Sequence, residues 1–200
     1  SQWYIGAVDL FRAWDFQQGD TNVVVAFTDT GTDTDHPDMV GNYSYNYNDP
    51  INGIDDDNDG FIDNFLGWDV ADNDNDVGFG NSGHGINVGG LVSAATDNVT
   101  GLSGAGFKTK LMPVKIDESS TGQLTGAYEG IVYAADHGAD IITNSWGSTV
   151  FRQYAQDIVN YAALNKGCLV IAATGNNGFE NRFYPAAYEN VLSVGSLSTP

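Results

Sequence analysis

Basic side chains are scarce: 7 Lys and Arg stand against 26 Asp and Glu, for a net charge of −19. Binding to phosphate or to an anionic membrane surface needs a basic face, so no nucleic-acid partner and no membrane partner is expected. Cysteine is nearly absent. The single Cys168 rules out an internal disulfide, so cysteine usage says nothing of the compartment. It lies in the apolar run Cys168-Leu169-Val170-Ile171 and reads as a small buried hydrophobe rather than a reactive thiol. No apolar run reaches transmembrane length. No secretory leader is found in these residues, so an exported form is expected to be a processed one.

The shortage of base is sharpest between Arg12 and Lys108. That stretch holds no Lys or Arg but 17 Asp. Carboxylates so crowded repel one another unless a cation sits among them. With no base nearby, a metal ion is the expected cation.

What is present is a core and a rhythm. Apolar residues make up 42% of the chain, and its 200 residues predict one domain, 1–200. Short β-branched runs predict strands at 22–28, 109–116, 140–144, 168–173 and 190–195. Helical patterns fall at about 84–95, 122–137 and 151–166. In the last of these Phe151, Tyr154, Ile158, Tyr161 and Ala162 form one stripe, and Lys166-Gly167 closes it. Strands alternating with helices predict an α/β fold: a doubly wound, mainly parallel sheet with helices on both faces. Sites in such sheets form at the carboxyl ends of strands. The segment 42–83 breaks the rhythm. It is rich in Asp, Asn, Gly and Tyr and reads as a long loop insertion of the functional or metal-clamped kind.

Strand ends and one helix start carry the candidate chemistry. Asp29 closes the run Val23 to Thr28 and precedes Thr30-Gly31. His84 opens a helix between two glycines, where one ring nitrogen can donate to a buried acid and the other can serve as a base. Asn176 follows the strand Leu169 to Ala173, and its amide can donate to a developing oxyanion, worth about 3–4 kcal/mol. Each signal alone is weak, because Asp-Thr-Gly is usually a turn and His-Gly usually a helix start. Their order makes the case.

These residues stand in VVVAFTDTG with HPDM, GHGINVGGLVSA, NSWGS, VIAATGNNG and YPAAYENVLSVGS. In them the chain resembles the subtilase family over nearly its whole length. The resemblance implies a secreted serine endopeptidase acting on extended polypeptide. It makes Asp29 the orienting acid, His84 the general base and Asn176 the oxyanion donor. Ser145, Trp146 and Gly147 would pair with substrate backbone, and Trp146 with Ala173, Thr174 and Gly175 would wall the pocket before the scissile bond. Two departures stand out. Ile86-Asn87 replaces the family's Thr-His pair, and Gly89 stands where Ala is usual. The family's serine, in a Gly-Thr-Ser-Met-Ala helix start, is not among these residues. Ser82 reads as a loop hydroxyl, and Ser193, Ser196 and Ser198 are not candidates. A C-terminal fragment carrying the serine is therefore an expected partner. The alternative is a non-catalytic, calcium-stabilised binding module on the same fold.

The insertion contains D-x-D-x-D-G-x-x-D from Asp55 to Asp63. Oxygen ligands at alternate positions, then a glycine and a carbonyl, suit Ca²⁺. Asp55, Asp57, Asp59 and Asp63, with the Phe61 carbonyl, are the expected ligands. An EF-hand would end in Glu, but Leu66 stands there. Asp69, Asp72, Asp74 and Asp76 form a second acidic cluster, without a glycine turn. His36 and His137 are expected to be structural.

Overall fold

The computed structural model describes residues 2–178 and 180–196. Two short helices, α1 (Trp3–Ala7) and α2 (Leu10–Trp14), lead into β1 (Val24–Asp29). After the acidic segment come β2 (Trp68–Asp69), α3 (His84–Ser93), β3 (Lys110–Lys115) and α4 (Ala127–Asp136). β4 (Ile141–Asn144), α5 (Gln153–Asn160, continued by a π-turn over Tyr161–Asn165), β5 (Leu169–Ala173) and β6 (Val191–Val194) complete the order. The strands form one six-stranded sheet in the order β2-β3-β1-β4-β5-β6, and every pairing is parallel.

The expected doubly wound sheet is what the chain builds, and alternation along its strands explains the two layers. Phe27 and Leu111 face α3 in a cluster with Met39, Tyr43 and Ala94. Their neighbours Ala26 and Met112 face α4 with Val114, Ile131, Ile142 and Val170. Gly89 and Gly130 let the helices settle. A Cβ on Gly89 would crowd the Phe27 ring at 3.2 Å, and one on Gly130 would meet Ile116 at 2.8 Å. Cys168 is buried, its thiol on the Ala139 carbonyl, and burial pushes its pKa up.

The sheet is not covered evenly. In register with Phe27 across β4, β5 and β6 stand Thr143, Ile171 and Leu192. Residues in register project to one face, so these three share the α3 face. α3 packs on β1 and β3, yet Leu169, Leu192 and Val194 on the same face are 46%, 52% and 49% exposed. Parallel sheets are normally covered on both faces.

Five strands lie within two residues of their expected positions. The helices α1 and α2, too short to show a period, and β2, two residues long, were not anticipated. The predicted helix at 122–137 begins only at Ala127, because Asp117 and Leu124 bridge as antiparallel partners and hold the preceding turn extended.

Candidate active site

Asp29 ends β1 and is 3% exposed. Gly31 turns the chain immediately after it with φ +81°, where a side chain would strike the Val77 carbonyl. Between Asp29 and Gly31, Thr30 clips strand end to helix start. Its hydroxyl donates to the Ser82 carbonyl at 2.9 Å and accepts from Gly85 N at 3.0 Å. A Cβ on Gly85 would run into the Gly31 backbone, so only glycine lets α3 approach this closely. The outcome is a 2.7 Å hydrogen bond between His84 Nδ1 and Asp29 Oδ1, which also accepts from Thr30 N at 2.8 Å. A carboxylate only accepts, so Nδ1 carries the proton and Nε2 is the basic nitrogen. The imidazole is 52% exposed while its acid is hidden.

Asn87 does not displace the helix. Its amide donates to the Gly83 carbonyl at 3.0 Å, one turn back. Ser82 Oγ accepts from His84 N at 3.2 Å and acts as a loop hydroxyl.

Ser145, Trp146 and Gly147 share a groove of about 430 Å³ with Asp29, Thr30 and His84. Trp146 is anchored from beneath. Its indole N–H donates to Thr28 Oγ1 at 2.8 Å, and the Thr28 hydroxyl donates to Asn144 Oδ1 at 2.8 Å. Asn144 in turn donates to the Ile171 carbonyl at 2.9 Å, and Tyr128 meets the indole edge-on at 5.2 Å. Thr28 and Asn144 thus set the pose of a groove residue, although each reads in sequence as an ordinary strand residue. Ala173 pairs with Val194 at the end of β5. Thr174, Gly175 and Asn176 then line a second hollow of about 400 Å³ that also holds Ser196. Ser193 Oγ donates to the Ala186 carbonyl, and Ser198 lies outside the described residues.

The acidic loop is drawn in around its own side chains. Asp49, Asp55 and Asp57 each bring a carboxylate oxygen within 4.8 Å of the others. Asp49 is fully buried and accepts from Asp56 N and Asn64 N, both at 2.8 Å. The sequence frame begins at Asp55 and so misses it. Asp59 turns elsewhere: its Oδ2 accepts from Asn64 and meets His137 Nε2 at 2.9 Å. Burial raises the Asp59 pKa, but bonds from Phe61 N and His137 outweigh it, and the net direction is down. Asp63 accepts from Asn52 N and Gly53 N. Phe61 packs its ring against Trp68, Tyr133 and His137. Of the expected ligands, then, the structure gathers Asp55 and Asp57 with Asp49, and gives Asp59 and Asp63 other partners. His36 Nδ1 accepts from Asp38 N in a turn.

The second acidic cluster has a cation from distant sequence. Lys115, fully buried at the end of β3, donates to Asp69 Oδ2 and to Ser119 Oγ, and sits 3.6 Å from Asp72. Burial works against the ammonium, but the hydrogen bond and charge of Asp69 raise its pKa on balance. The stretch between Arg12 and Lys108 does obtain a base, through the β2–β3 pairing rather than from its own residues.

Comparison with known proteins gives the family. The family model described as the subtilase family matches residues 20–199. Thermitase of Thermoactinomyces vulgaris is 38% identical over 186 residues, covering 92% of this chain and 58% of thermitase. The thermophilic serine proteinase of Bacillus sp. (strain AK1) is 37% identical over 186 residues, 92% of this chain and 41% of that protein. Among solved structures, a protease from Pseudoalteromonas arctica PAMC 21717 superposes with a TM-score of 0.70 at 28% identity, over 94% of this chain and 60% of that one. The chain thus spans about half the length of these relatives. With the family match running over both the strand that ends in Asp29 and the helix that His84 opens, the chain belongs to the subtilase family.

Proposed function

We propose that this chain carries the acid, the base and the oxyanion donor of a serine endopeptidase acting on extended polypeptide, the nucleophilic serine lying on a segment outside residues 1–200. The Asp29–His84 pair carries the reading: a buried acid 2.7 Å from Nδ1 of an imidazole on a groove wall. Nε2 would take the proton of the serine hydroxyl as its oxygen bonds to the scissile carbonyl. It would then return the proton to the leaving amine as the C–N bond breaks. Asp29 fixes the tautomer and stabilises the transient imidazolium without taking the proton. Asn176 would donate to the tetrahedral oxyanion. The Ser145–Gly147 backbone would receive the substrate as an added strand, with Trp146 and Ala173 to Gly175 walling the pocket before the scissile bond.

The bare apolar face over β4 to β6 supports a further segment docking there, and the serine-bearing segment is the natural occupant. The donor set of Asp49, Asp55 and Asp57 is all carboxylate oxygen, which fits a hard cation such as Ca²⁺. For Asp59 and Asp63 to join this set with the Phe61 carbonyl, Asp59 would leave His137 and Asn64, and Asp63 would leave the Asn52 and Gly53 amides. The ion would supply charge neutralisation to the insertion at 42–83 and take no part in bond breaking. We place the protein outside the cell, where calcium concentrations suit sites of modest affinity and an acidic exterior is common. In a polypeptide joining this chain to its serine-bearing segment, Asp29→Asn lowers kcat by about 10⁴. A loss under tenfold would move the chain to the non-catalytic, calcium-stabilised binding module.

A further inference from the structure

Asp29 uses one of its two oxygens. Oδ1 accepts from both His84 Nδ1 and Thr30 N, while Oδ2 is buried and without a hydrogen-bond partner among the described residues. Both oxygens of Asp117 are in the same condition, and Asp117 is fully buried. No step of the proposed mechanism uses this second acid.

The sheet places the two carboxyls near each other. Asp29 and Lys115 are register partners in the parallel β1–β3 pair, so their side chains leave the sheet on one face. Ile116 N donates to the Asp29 carbonyl at 2.9 Å, continuing the ladder past the strand end. The alternation then carries Asp117 to the face of Lys115 and Asp29. The charged groups that act on it are Lys115, two residues back at the end of β3, Asp29 at the end of β1 and Asp72 after β2. The one permanent cation, Lys115, is already taken by Asp69 and Ser119. An ionised Asp117 would therefore be a buried anion beside a second anion, helped by no donor other than its own backbone N–H, a costly arrangement for a carboxylate. A carboxylic acid supplies its own donor. Burial, more than any neighbour, pushes the Asp117 pKa up; Lys115 pulls against this and the Asp29 charge adds to it.

We propose that Asp117 is held as a neutral carboxylic acid whose O–H serves the free Oδ2 of Asp29, directly or through one buried water, and so limits how strongly Asp29 draws on the His84 Nδ1 proton. Asp117 is then a positioning residue, one oxygen removed from the base. The inference rests on Asp29 and His84 acting as the orienting acid and base, but its test needs no turnover, so the two readings fail separately. The 200-residue chain is used at neutral pH. Infrared difference spectra of wild type against Asp117→Asn should show a protonated-carboxyl band in the wild type that the variant lacks. The downfield NMR resonance of the His84 Nδ1 proton should stay in place in Asp117→Asn, whose amide N–H₂ donates the same bond. In Asp117→Ala it should move further downfield, as Asp29 becomes the stronger acceptor. The isosteric Asn variant secures the infrared arm if the Ala variant fails to fold. No protonated-carboxyl band in the wild type, or a resonance in Asp117→Ala that does not move, overturns the proposal.

Discussion

Replacing Lys115 by Met tests the charge balance of the sheet most directly. The side chain is fully buried, and its ammonium serves Asp69, Ser119 and Asp72 at once. Met keeps the length and removes the charge. Asp69, itself 1% exposed, would retain only the Ala71 and Asp72 amides, both on Oδ1. Leaving one member of a buried pair uncompensated costs about 3–5 kcal/mol, a large part of the 5–15 kcal/mol typical of a domain. With a urea slope of about 1–3 kcal/mol/M, the midpoint should fall by roughly 1–3 M. The deficit should depend on pH. Burial already pushes the folded-state pKa of Asp69 up, with Lys115 pulling against it, and removing Lys115 leaves burial less opposed. The penalty is then fully present at neutral pH and disappears as the pH falls below the unfolded carboxylate range. Adding Asp69→Leu to Lys115→Met should restore most of the loss, because an apolar pair of similar volume replaces a buried ion pair at little cost. Urea melts of the two single variants and the double variant decide it. A single Lys115→Met variant within 1 kcal/mol of wild type, by the same scale, would refute the reasoning.

Three further outcomes are expected. Chelation should lower the melting temperature, since calcium at a hundredfold excess over its Kd adds about 2.7 kcal/mol; an unchanged melt in EDTA removes the calcium proposal. The 200-residue chain alone should cleave no peptide and take no serine-directed fluorophosphonate, and mass spectrometry finding a labelled serine would show that the nucleophile has been misplaced. Thr30→Val should cost about 1–3 kcal/mol, because the Gly85 N–H loses its acceptor inside the strand–helix junction; Thr30→Ser should retain most of the stability, and equal denaturation midpoints for Val and Thr would discount the clip.

Local pattern was enough for much of this. β-branched runs locate five strands because each is apolar on two faces and bounded by turns. The Asp29–His84 meeting follows from a strand end and a helix start on one side of a parallel sheet. What stayed hidden depends on long-range register. Lys115 reaches Asp69 only because β2 pairs with β3, 46 residues apart in sequence. Asp49 joins Asp55 and Asp57 because its carboxylate is tied to the Asp56 and Asn64 amides, which no motif frame records. Thr28 and Asn144 are inward strand residues whose hydroxyl and amide matter only once Trp146 folds back over them.

The β6 edge has a consequence for how such a protein is made. A chain emerging from the ribosome completes β5 and β6 before anything that follows them has been synthesised. At that moment Leu169, Leu192 and Val194 face water at about half exposure, and among the described residues β6 is the outermost strand on its side of the sheet. An open edge beside an apolar face invites another nascent chain to add a strand, and the hazard grows with local concentration on a polysome. The dense negative charge repels sister chains at long range, but it falls mainly in the first half of the sequence, far along the chain from β6. Yield of residues 1–200 should therefore fall with expression rate more steeply than their thermal stability would indicate.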